Sequence, residues 1–365
     1  MSTVDFGVLV NSPTCKFHLD QIQHNDITQW AIYHDAPTYF LQFQHRNRAA
    51  LLHWPFPNDP NFDSLVDQIY DHCEVIAITI TELHSVSVEF MRRFDRPKIV
   101  FYIAGFIQEP LKLATVRYYM DWFHTSRHFY RNYLPEILQR LTGDAKENHF
   151  DILLGRKKPH RDYVNQYVTK HLRVEQYFMT YFNEHEIDFA ENELLWAWEQ
   201  PGLRFVDRPK WTVDMVEYYG LKMSISQVIP IDIYNRTAYS VVAETCYSND
   251  FVFFTEKTAK PIIARRLFVM FAGQGYLARL RELGFETFDS IIDESYDQEP
   301  DAERRWGMAC DQLQWLTQQP QAQILKQIQP IVDHNFEVMM STGWYTDFNS
   351  NLESLFESFL QQKQD

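Results

Sequence analysis

Cysteine is scarce in this chain of 365 residues, and its four cysteines, Cys15, Cys73, Cys246 and Cys310, lie far apart. None forms a Cys-x-x-Cys pair, which argues against a zinc ribbon or a disulfide scaffold and favours a reducing compartment. No apolar run reaches the roughly 20 residues that a membrane-spanning helix needs. The N-terminus also lacks the basic region and apolar core of a secretory signal. We therefore expect a soluble, cytoplasmic protein without a membrane span.

Basic residues are outnumbered by acidic ones, 34 Lys and Arg against 49 Asp and Glu, for a formal net charge of -15. Such a surface repels nucleic-acid backbones and anionic membranes. We therefore expect no nucleic acid as a partner. A site for a small anion, such as a mononucleotide, has to be a local basic exception.

Several catalytic motifs are missing from the sequence. It has no P-loop, no Gly-x-Ser-x-Gly and no Gly-x-Gly-x-x-Gly, which disfavours ATPases, hydrolases and dinucleotide oxidoreductases. It also has no Asp-x-Asp, the metal clamp of GT-A transferases. His124 and His128 have i, i+4 spacing, but "HTSRH" lacks the glutamate of the zinc-protease pattern. We expect neither a metal nor a bound cofactor.

Strand-like and helix-like segments alternate along the chain, which predicts an α/β fold. "DFGVLV", "EVIAITIT" and "PKIVFYIAG" read as buried parallel strands, and "FDSLVDQIYDHC" reads as an amphipathic helix. Residues 115–141 predict one or two aromatic-rich helices. The polar "TGDAKENH" at 142–149 predicts a domain boundary. We expect domains over 1–145 and 149–340, with an amphipathic helix in 345–365 that packs back on the first.

The basic turn "GRKKPHR" follows one predicted strand and sets Arg156, Lys158 and Arg161 ahead of a helix that begins near Pro159 or Asp162. Cations at a helix N-terminus oppose the helix dipole, by about 0.3–1 kcal/mol each when exposed. A bound anion would offset that cost, so the turn predicts a phosphate site. The alternative is a solvated basic turn in which Asp162 caps the helix.

A second polar group ends the strand-like run that starts at Glu244, and Glu244 is itself a candidate donor-binding residue. Thr255, Glu256 and Lys257 stand where α/β sheets bind their ligands, at the carboxyl end of a strand. A carboxylate can accept two ribose hydroxyls, and a lysine suits phosphate oxygens. The alternative is a surface Glu-Lys pair at a helix start, with Thr255 or Thr258 as the N-cap.

Two further segments follow that group. Gly273 and Gly275 form a Gly-x-Gly after the next apolar run, a spacing that allows a close approach to a ligand and is weak by itself. Asp293, Glu294 and Asp297 form an acidic cluster after a helix. It is either an ordinary loop or a wall of the donor site.

The Thr255-Glu256-Lys257 segment, followed by an apolar strand and a glycine, resembles the donor-binding half of GT-B glycosyltransferases, especially the α1,3-fucosyltransferase type. Residues 150–310 also resemble bacterial and viral proteins assigned as glycosyltransferases. The resemblance implies two Rossmann-like domains facing across a cleft, with a C-terminal helix crossing back. It also implies that Glu256 meets the ribose and Lys257 the phosphates of a nucleoside-diphosphate sugar.

Glu244 and Glu256 do not have the Glu-x7-Glu spacing of retaining GT-B enzymes. This departure disfavours the retaining type and favours an inverting one, and both outcomes stay open. The expected reaction is a metal-independent transfer of a sugar to a hydroxyl of a glycan or another acceptor. We further predict that Arg156, Lys158, Arg161 and Lys257 converge on one anion site, because both segments follow buried strands of one domain.

The catalytic base is not part of the resemblance. Glu82 is the first candidate, because it follows the strand "EVIAITIT" and strand ends face the ligand crevice. His84 is the second, because its unperturbed pKa suits proton transfer near neutrality. The alternative for Glu82 is an ordinary loop residue. A rival function also stays open: a catalytically silent binding or assembly protein on the same fold.

Overall fold

The structure, a computed structural model, describes residues 5–8, 39–43, 47–54, 60–71, 75–80, 82–119, 121–182, 200–205 and 215–341. The chain is mixed α/β with parallel sheets, and it divides into two compact units between Met120 and Asp121. Within the described ranges, no helix has both the length and the apolar character needed to cross a membrane.

The first unit contains a six-stranded sheet with the order β1-β2-β3-β4-β5-β7. The strands β1 to β3 pair antiparallel, and β3, β4, β5 and β7 pair parallel. The strands of this unit are β1 (Asp5–Val8), β2 (Tyr39–Phe43), β3 (Asn47–His53), β4 (Val75–Ile80), β5 (Ile99–Ala104), β6 (Phe106–Ile107) and β7 (Thr115–Tyr119). Its helices are α1 (Pro60–Tyr70) and α2 (Ser85–Arg93).

The prediction of buried parallel strands is confirmed for "EVIAITIT" and "PKIVFYIAG". They form β4 and β5, and every residue of both strands is buried, which explains their continuous apolar sequence. The same prediction is wrong for "DFGVLV", because β1 pairs antiparallel with β2. The prediction of a helix that begins at residue 115 is also wrong for its first residues. Thr115–Tyr119 is rich in β-branched and aromatic residues and pairs with β5 as a strand.

The second unit is built on a four-stranded parallel sheet with the order β15-β13-β8-β9. The strands of this unit are β8 (Asn148–Arg156), β9 (Tyr177–Phe182), β10 (Leu203–Phe205), β11 (Met215–Tyr218), β12 (Leu221–Ser224), β13 (Thr237–Ala243), β14 (Phe251–Val252) and β15 (Phe268–Phe271). Its helices are α3 (Asp121–Asn132), α4 (Pro159–His171), α5 (Ile231–Arg236), α6 (Glu256–Ile263), α7 (Tyr276–Glu282), α8 (Ala302–Thr317) and α9 (Gln321–Met340). A small antiparallel sheet, β10-β11-β12, completes the unit.

The division between the units lies upstream of the 142–149 segment in which the sequence placed it, because α3 belongs to the second unit. The ring of Phe123 lies 5.8 Å from those of Phe254 and Phe285. The hydroxyl of Tyr130 accepts a hydrogen bond from the backbone N–H of Ile229 at 2.6 Å. These buried contacts hold α3 in the second unit. The terminal helix predicted in 345–365 lies outside the described residues and stays a prediction.

The core of the second unit contains a buried ion pair below its sheet edge. Arg266 donates from Nη2 to Asp151 Oδ1 at 2.7 Å, and both side chains are nearly inaccessible. Its other N–H groups donate to the Ser240 hydroxyl, to the Thr237 hydroxyl and to the carbonyls of Tyr234 and Thr237. This network joins β8, β13 and the segment that leads into β15.

Candidate functional site

The parallel sheet of the second unit changes direction between β8 and β13. The chain runs from β8 outward to β9, then returns to the other side of β8 to form β13 and continues outward to β15. In open α/β sheets, ligands bind outside the carboxyl ends of the strands at such a switch point. The segments that leave this point are the basic turn after β8 and residues 244–247 after β13.

Arg161 connects the two strand ends at the switch point. Its Nη1 donates to the carbonyl of Arg156 at 2.9 Å, and its Nη2 donates to the carbonyl of Glu244 at 3.2 Å. The residue is 4% exposed, and burial lowers the pKa of its guanidinium even though Glu244 opposes the shift. Arg161 therefore holds the edge together, and only its buried Nε lacks a hydrogen-bond partner among the described residues. Arg156 itself is exposed at the rim.

His160 makes a second connection between the same strand ends. Its Nε2 lies 2.8 Å from the carbonyl oxygen of Glu244, and because that oxygen can only accept, Nε2 carries the proton. Burial, with the neighbouring Arg161 guanidinium, holds the pKa of His160 well below its usual value. This histidine is therefore a neutral part of the scaffold and does not add a charge to the basic turn.

Glu244 is a buried anchor for the Thr255-Glu256-Lys257 segment. It has no exposed surface, and its carboxylate accepts hydrogen bonds from five donors. These donors are the backbone N–H of Thr245, the backbone N–H and hydroxyl of Thr255, and the hydroxyls of Thr258 and Tyr276. With its oxygens so occupied, Glu244 positions the segment. The sequence had placed it among the ligand-binding residues.

Thr255 begins α6 as its N-cap, accepting a hydrogen bond from the backbone N–H of Lys257. This cap places Glu256 and Lys257 in the first turn, at the carboxyl edge of the sheet. Lys257 Nζ lies 2.5 Å from Glu256 Oε1. Burial by itself would raise the pKa of the Glu256 carboxyl, but Lys257 and Lys260 outweigh it and leave that pKa below its usual value.

Two lysines meet at Thr245, the residue after Glu244. Lys158 Nζ donates to the carbonyl of Thr245 at 2.5 Å, and Lys257 Nζ donates to its hydroxyl at 3.2 Å. Lys158 is also the N-cap residue of α4 and is half-buried. The side chain of Lys257 is 27% exposed. The two ammonium groups form a cationic patch that solvent reaches, which we call the Thr245 patch.

Two of the four cations predicted to converge on one anion site, Lys158 and Lys257, meet at Thr245. The guanidinium of Arg161 is buried and bonded to backbone carbonyls, and Arg156 is exposed and contributes only its carbonyl to Arg161. Thr245 was missed because sequence analysis stopped at Glu244. Applying the strand-end rule to β13 would have included it.

The two glycines of the Gly-x-Gly segment are explained by backbone packing and conformation. A Cβ on Gly273 would lie 1.9 Å from the carbonyl oxygen of Ser248, so the loop after β13 leaves no room for a side chain there. Gly275 has φ 75° and precedes α7, and its N–H donates to the carbonyl of Asp297. The positive φ favours glycine. Local packing accounts for both positions without a ligand.

Glu82 and His84 lie in the first unit, after β4 and before α2. His84 Nε2 is 3.6 Å from Glu82 Oε1, and the side chains are 23% and 43% exposed for His84 and Glu82 respectively. The two candidates are therefore neighbours in space and form a carboxylate–imidazole pair, in which both side chains are partly exposed and the His84 Nε2 atom is buried.

The acidic cluster at 293–297 organises a loop. Asp297 accepts hydrogen bonds from the N–H groups of Leu277 and Ala278 and thereby caps α7. Glu294 is buried, accepts from the N–H of Phe288 at 2.8 Å, and pairs with Arg281 at 3.1 Å. Burial raises the pKa of Glu294 to about 7, although Arg281 opposes the shift.

The raised pKa of Glu294 predicts a pH-dependent stability. The folded protein holds the proton more tightly than the unfolded chain, so the contribution is fully present below the ordinary glutamate pKa and is lost as pH rises through about 7. Urea unfolding at about pH 5 and about pH 8 measures it. We expect the free energy of unfolding to fall with pH more steeply in the wild type than in Glu294→Gln. The control is Glu286→Gln, at an exposed position, and equal slopes in wild type and Glu294→Gln would contradict the prediction.

Comparisons of the chain with protein-family models, with curated proteins and with solved structures found no match. The chemistry of the Thr245 patch and of the first-unit pair is therefore the ground for a function.

Proposed function

We propose that this protein is a cytosolic, GT-B-like glycosyltransferase that binds a nucleoside-diphosphate sugar at the Thr245 patch. The observation that carries the proposal is the meeting of Lys158 and Lys257 at Thr245, at the point where the sheet changes direction. On a protein with a net charge of -15, a cationic patch is a local exception. The binding of a small anion is the simplest explanation for it.

The patch suits a diphosphate leaving group. The acceptor oxygen forms a bond to the anomeric carbon of the sugar while the bond from that carbon to the diphosphate oxygen breaks. The electron pair leaves with the diphosphate, and the two ammonium groups stabilise the negative charge that develops there. Glu256, beside Lys257, is suited to accept hydrogen bonds from ribose hydroxyls.

The proton of the acceptor hydroxyl goes to a general base, and we propose Glu82, with His84 as the second candidate. Their 3.6 Å separation supports this choice, because an imidazole beside a carboxylate can pass on or stabilise a proton. In this proposal the first unit faces the patch across a cleft, as in GT-B enzymes, and the C-terminal helix crosses back to it.

The first test is a thermal-shift panel of UDP, GDP, CMP and dTDP with the full chain. The second measures hydrolysis of sugar donors that carry the nucleotide selected by the panel. We expect saturable binding and slow hydrolysis of one donor. Glu82→Gln or His84→Ala should keep the nucleotide affinity and lower turnover by about 10²–10⁴. Binding without turnover of any donor would favour the silent binding protein, and full turnover in both variants would refute the assignment of the base.

A further inference from the structure

Helix α6 carries a second buried lysine one turn after Glu256. Lys260 and Glu256 have i, i+4 spacing and so share a face of the helix. Glu256 is 5% exposed and Lys260 is 6% exposed. Lys260 Nζ donates to the carbonyl of Ser226 at 2.7 Å, which fixes its ammonium group inside the unit. A single buried carboxylate is thus accompanied by two lysines, of which only Lys257 reaches solvent.

The pair between Glu256 and Lys257 poses a problem for anion binding. At 2.5 Å from Glu256, Lys257 is held by an internal anion, and an incoming phosphate competes with that carboxylate for the ammonium charge. A carboxylate left buried without a counter-charge is strongly unfavourable. A second positive charge near Glu256 therefore favours the binding of an anion at the Thr245 patch.

Lys260 has the electrostatic relation to Glu256 that this requires. Burial lowers the pKa of Lys260 to about 8, and the Glu256 carboxylate is the largest influence that opposes the shift. In return, Lys260 helps to keep the pKa of Glu256 below its usual value. Lys257, Asp151 and Glu244 act on Lys260 more weakly than Glu256 does.

We propose that Lys260 is a positioning residue that neutralises Glu256 and thereby releases Lys257 to bind the anion. This inference rests on the proposed function of the Thr245 patch. Lys260 itself does not touch the ligand, because it is buried one turn below the first turn of the helix. Its effect on affinity is exerted through Glu256.

A double-mutant cycle tests the proposal by calorimetry of inorganic diphosphate. UDP is a second probe of the wild type only, because Glu256 is also proposed to bind the ribose. Lys260→Met should weaken diphosphate binding about tenfold, because Glu256 then retains Lys257. Glu256→Gln should bind diphosphate at least as tightly as the wild type. The double variant should match Glu256→Gln, because without the carboxylate no counter-charge is needed. A loss that persists in the Glu256→Gln background would overturn the proposal.

Two controls separate this effect from a general loss of structure. Lys260→Arg keeps the charge and should retain the wild-type affinity, whereas a purely steric role would make it as harmful as methionine. Lys170→Met removes an exposed lysine from the last turn of α4 and should change nothing. Thermal unfolding checks each variant, and Lys260→Gln replaces the methionine variant in the cycle if the latter does not fold.

A ligand-free measurement distinguishes failure of this inference from failure of the proposed function. Acetylation of Lys257 by acetic anhydride, quantified by mass spectrometry against Lys170, reports how firmly Glu256 holds the amine. We expect slower acetylation of Lys257 in Lys260→Met and recovery in the double variant. If the wild type binds neither probe, the proposed function fails while this arm still decides the role of Lys260. An unchanged acetylation rate in Lys260→Met would refute that role.

Discussion

Replacing Lys257 by alanine should weaken the binding of a nucleoside diphosphate about tenfold or more, because a charge-assisted contact to phosphate contributes roughly 1.5–3 kcal/mol. Lys158→Ala should have a similar effect, since Lys158 holds the other side of Thr245. Calorimetry with the nucleotide selected by the thermal-shift panel measures both. EDTA should not reproduce the loss, because the proposed site uses ammonium groups.

Lys170→Ala is the matched control, since it removes the same charge from an exposed position of the same helix that Lys158 caps. Wild-type affinity in both Lys257→Ala and Lys158→Ala would show that the Thr245 patch serves only local structure.

Arg161→Ala should act on the structure of the unit as well as on affinity. It removes the connection between β8 and β13, so its loss of affinity should come with a lower unfolding temperature.

Arg266→Met should lower the free energy of unfolding by about 3–5 kcal/mol, the usual cost of removing one partner of a buried ion pair. The variant leaves Asp151, which is 3% exposed, without its counter-charge. Burial raises the pKa of Asp151 even with Arg266 in place, so the carboxylate has little solvation of its own. Urea unfolding at constant pH measures the change.

Arg279→Met is the control for that experiment. Its partner Glu282 lies 2.5 Å away on the surface of α7, with side-chain exposures of 31% and 59%. A surface pair of this kind contributes about 0–1 kcal/mol. A similar loss in Arg266→Met and Arg279→Met would mean that the buried network adds no more than the exposed pair. Asp151→Asn combined with Arg266→Met should recover part of the loss, because it removes the unpaired charge.

The strands that sequence analysis located best were those whose local pattern and final environment agree. The runs of β4 and β5 are apolar throughout and are buried throughout, so their sequence alone indicated parallel strands covered on both faces. Thr255 was one of two possible N-caps, and it caps α6 because its hydroxyl reaches the N–H of Lys257. Both features depend on neighbours in sequence.

Residue 115 shows where a local pattern was insufficient. An aromatic-rich segment can form a helix or a strand, and for Thr115–Tyr119 the free edge of β5 decided the outcome. The division at Met120 follows the same logic. The sequence of α3 does not show to which unit the helix belongs. The contacts of Phe123 with Phe254 and Phe285 assign it to the second unit.

The candidate site divides in the same way between sequence and tertiary structure. The types of side chain at the strand ends, and the helix starts that follow them, were determined by the sequence. Which of those side chains come together was decided only by the fold, because Lys158 and Thr245 meet across 87 residues of chain. Glu244 and Arg161 are charged residues that the sequence offered as ligand contacts, but the fold uses their side chains for hydrogen bonds inside the unit. Lys158 and Lys257 also donate to Thr245, but their side chains stay partly exposed at this edge. The physical reason is that buried polar groups have to be satisfied within the protein, whereas groups at the edge can also bond to water.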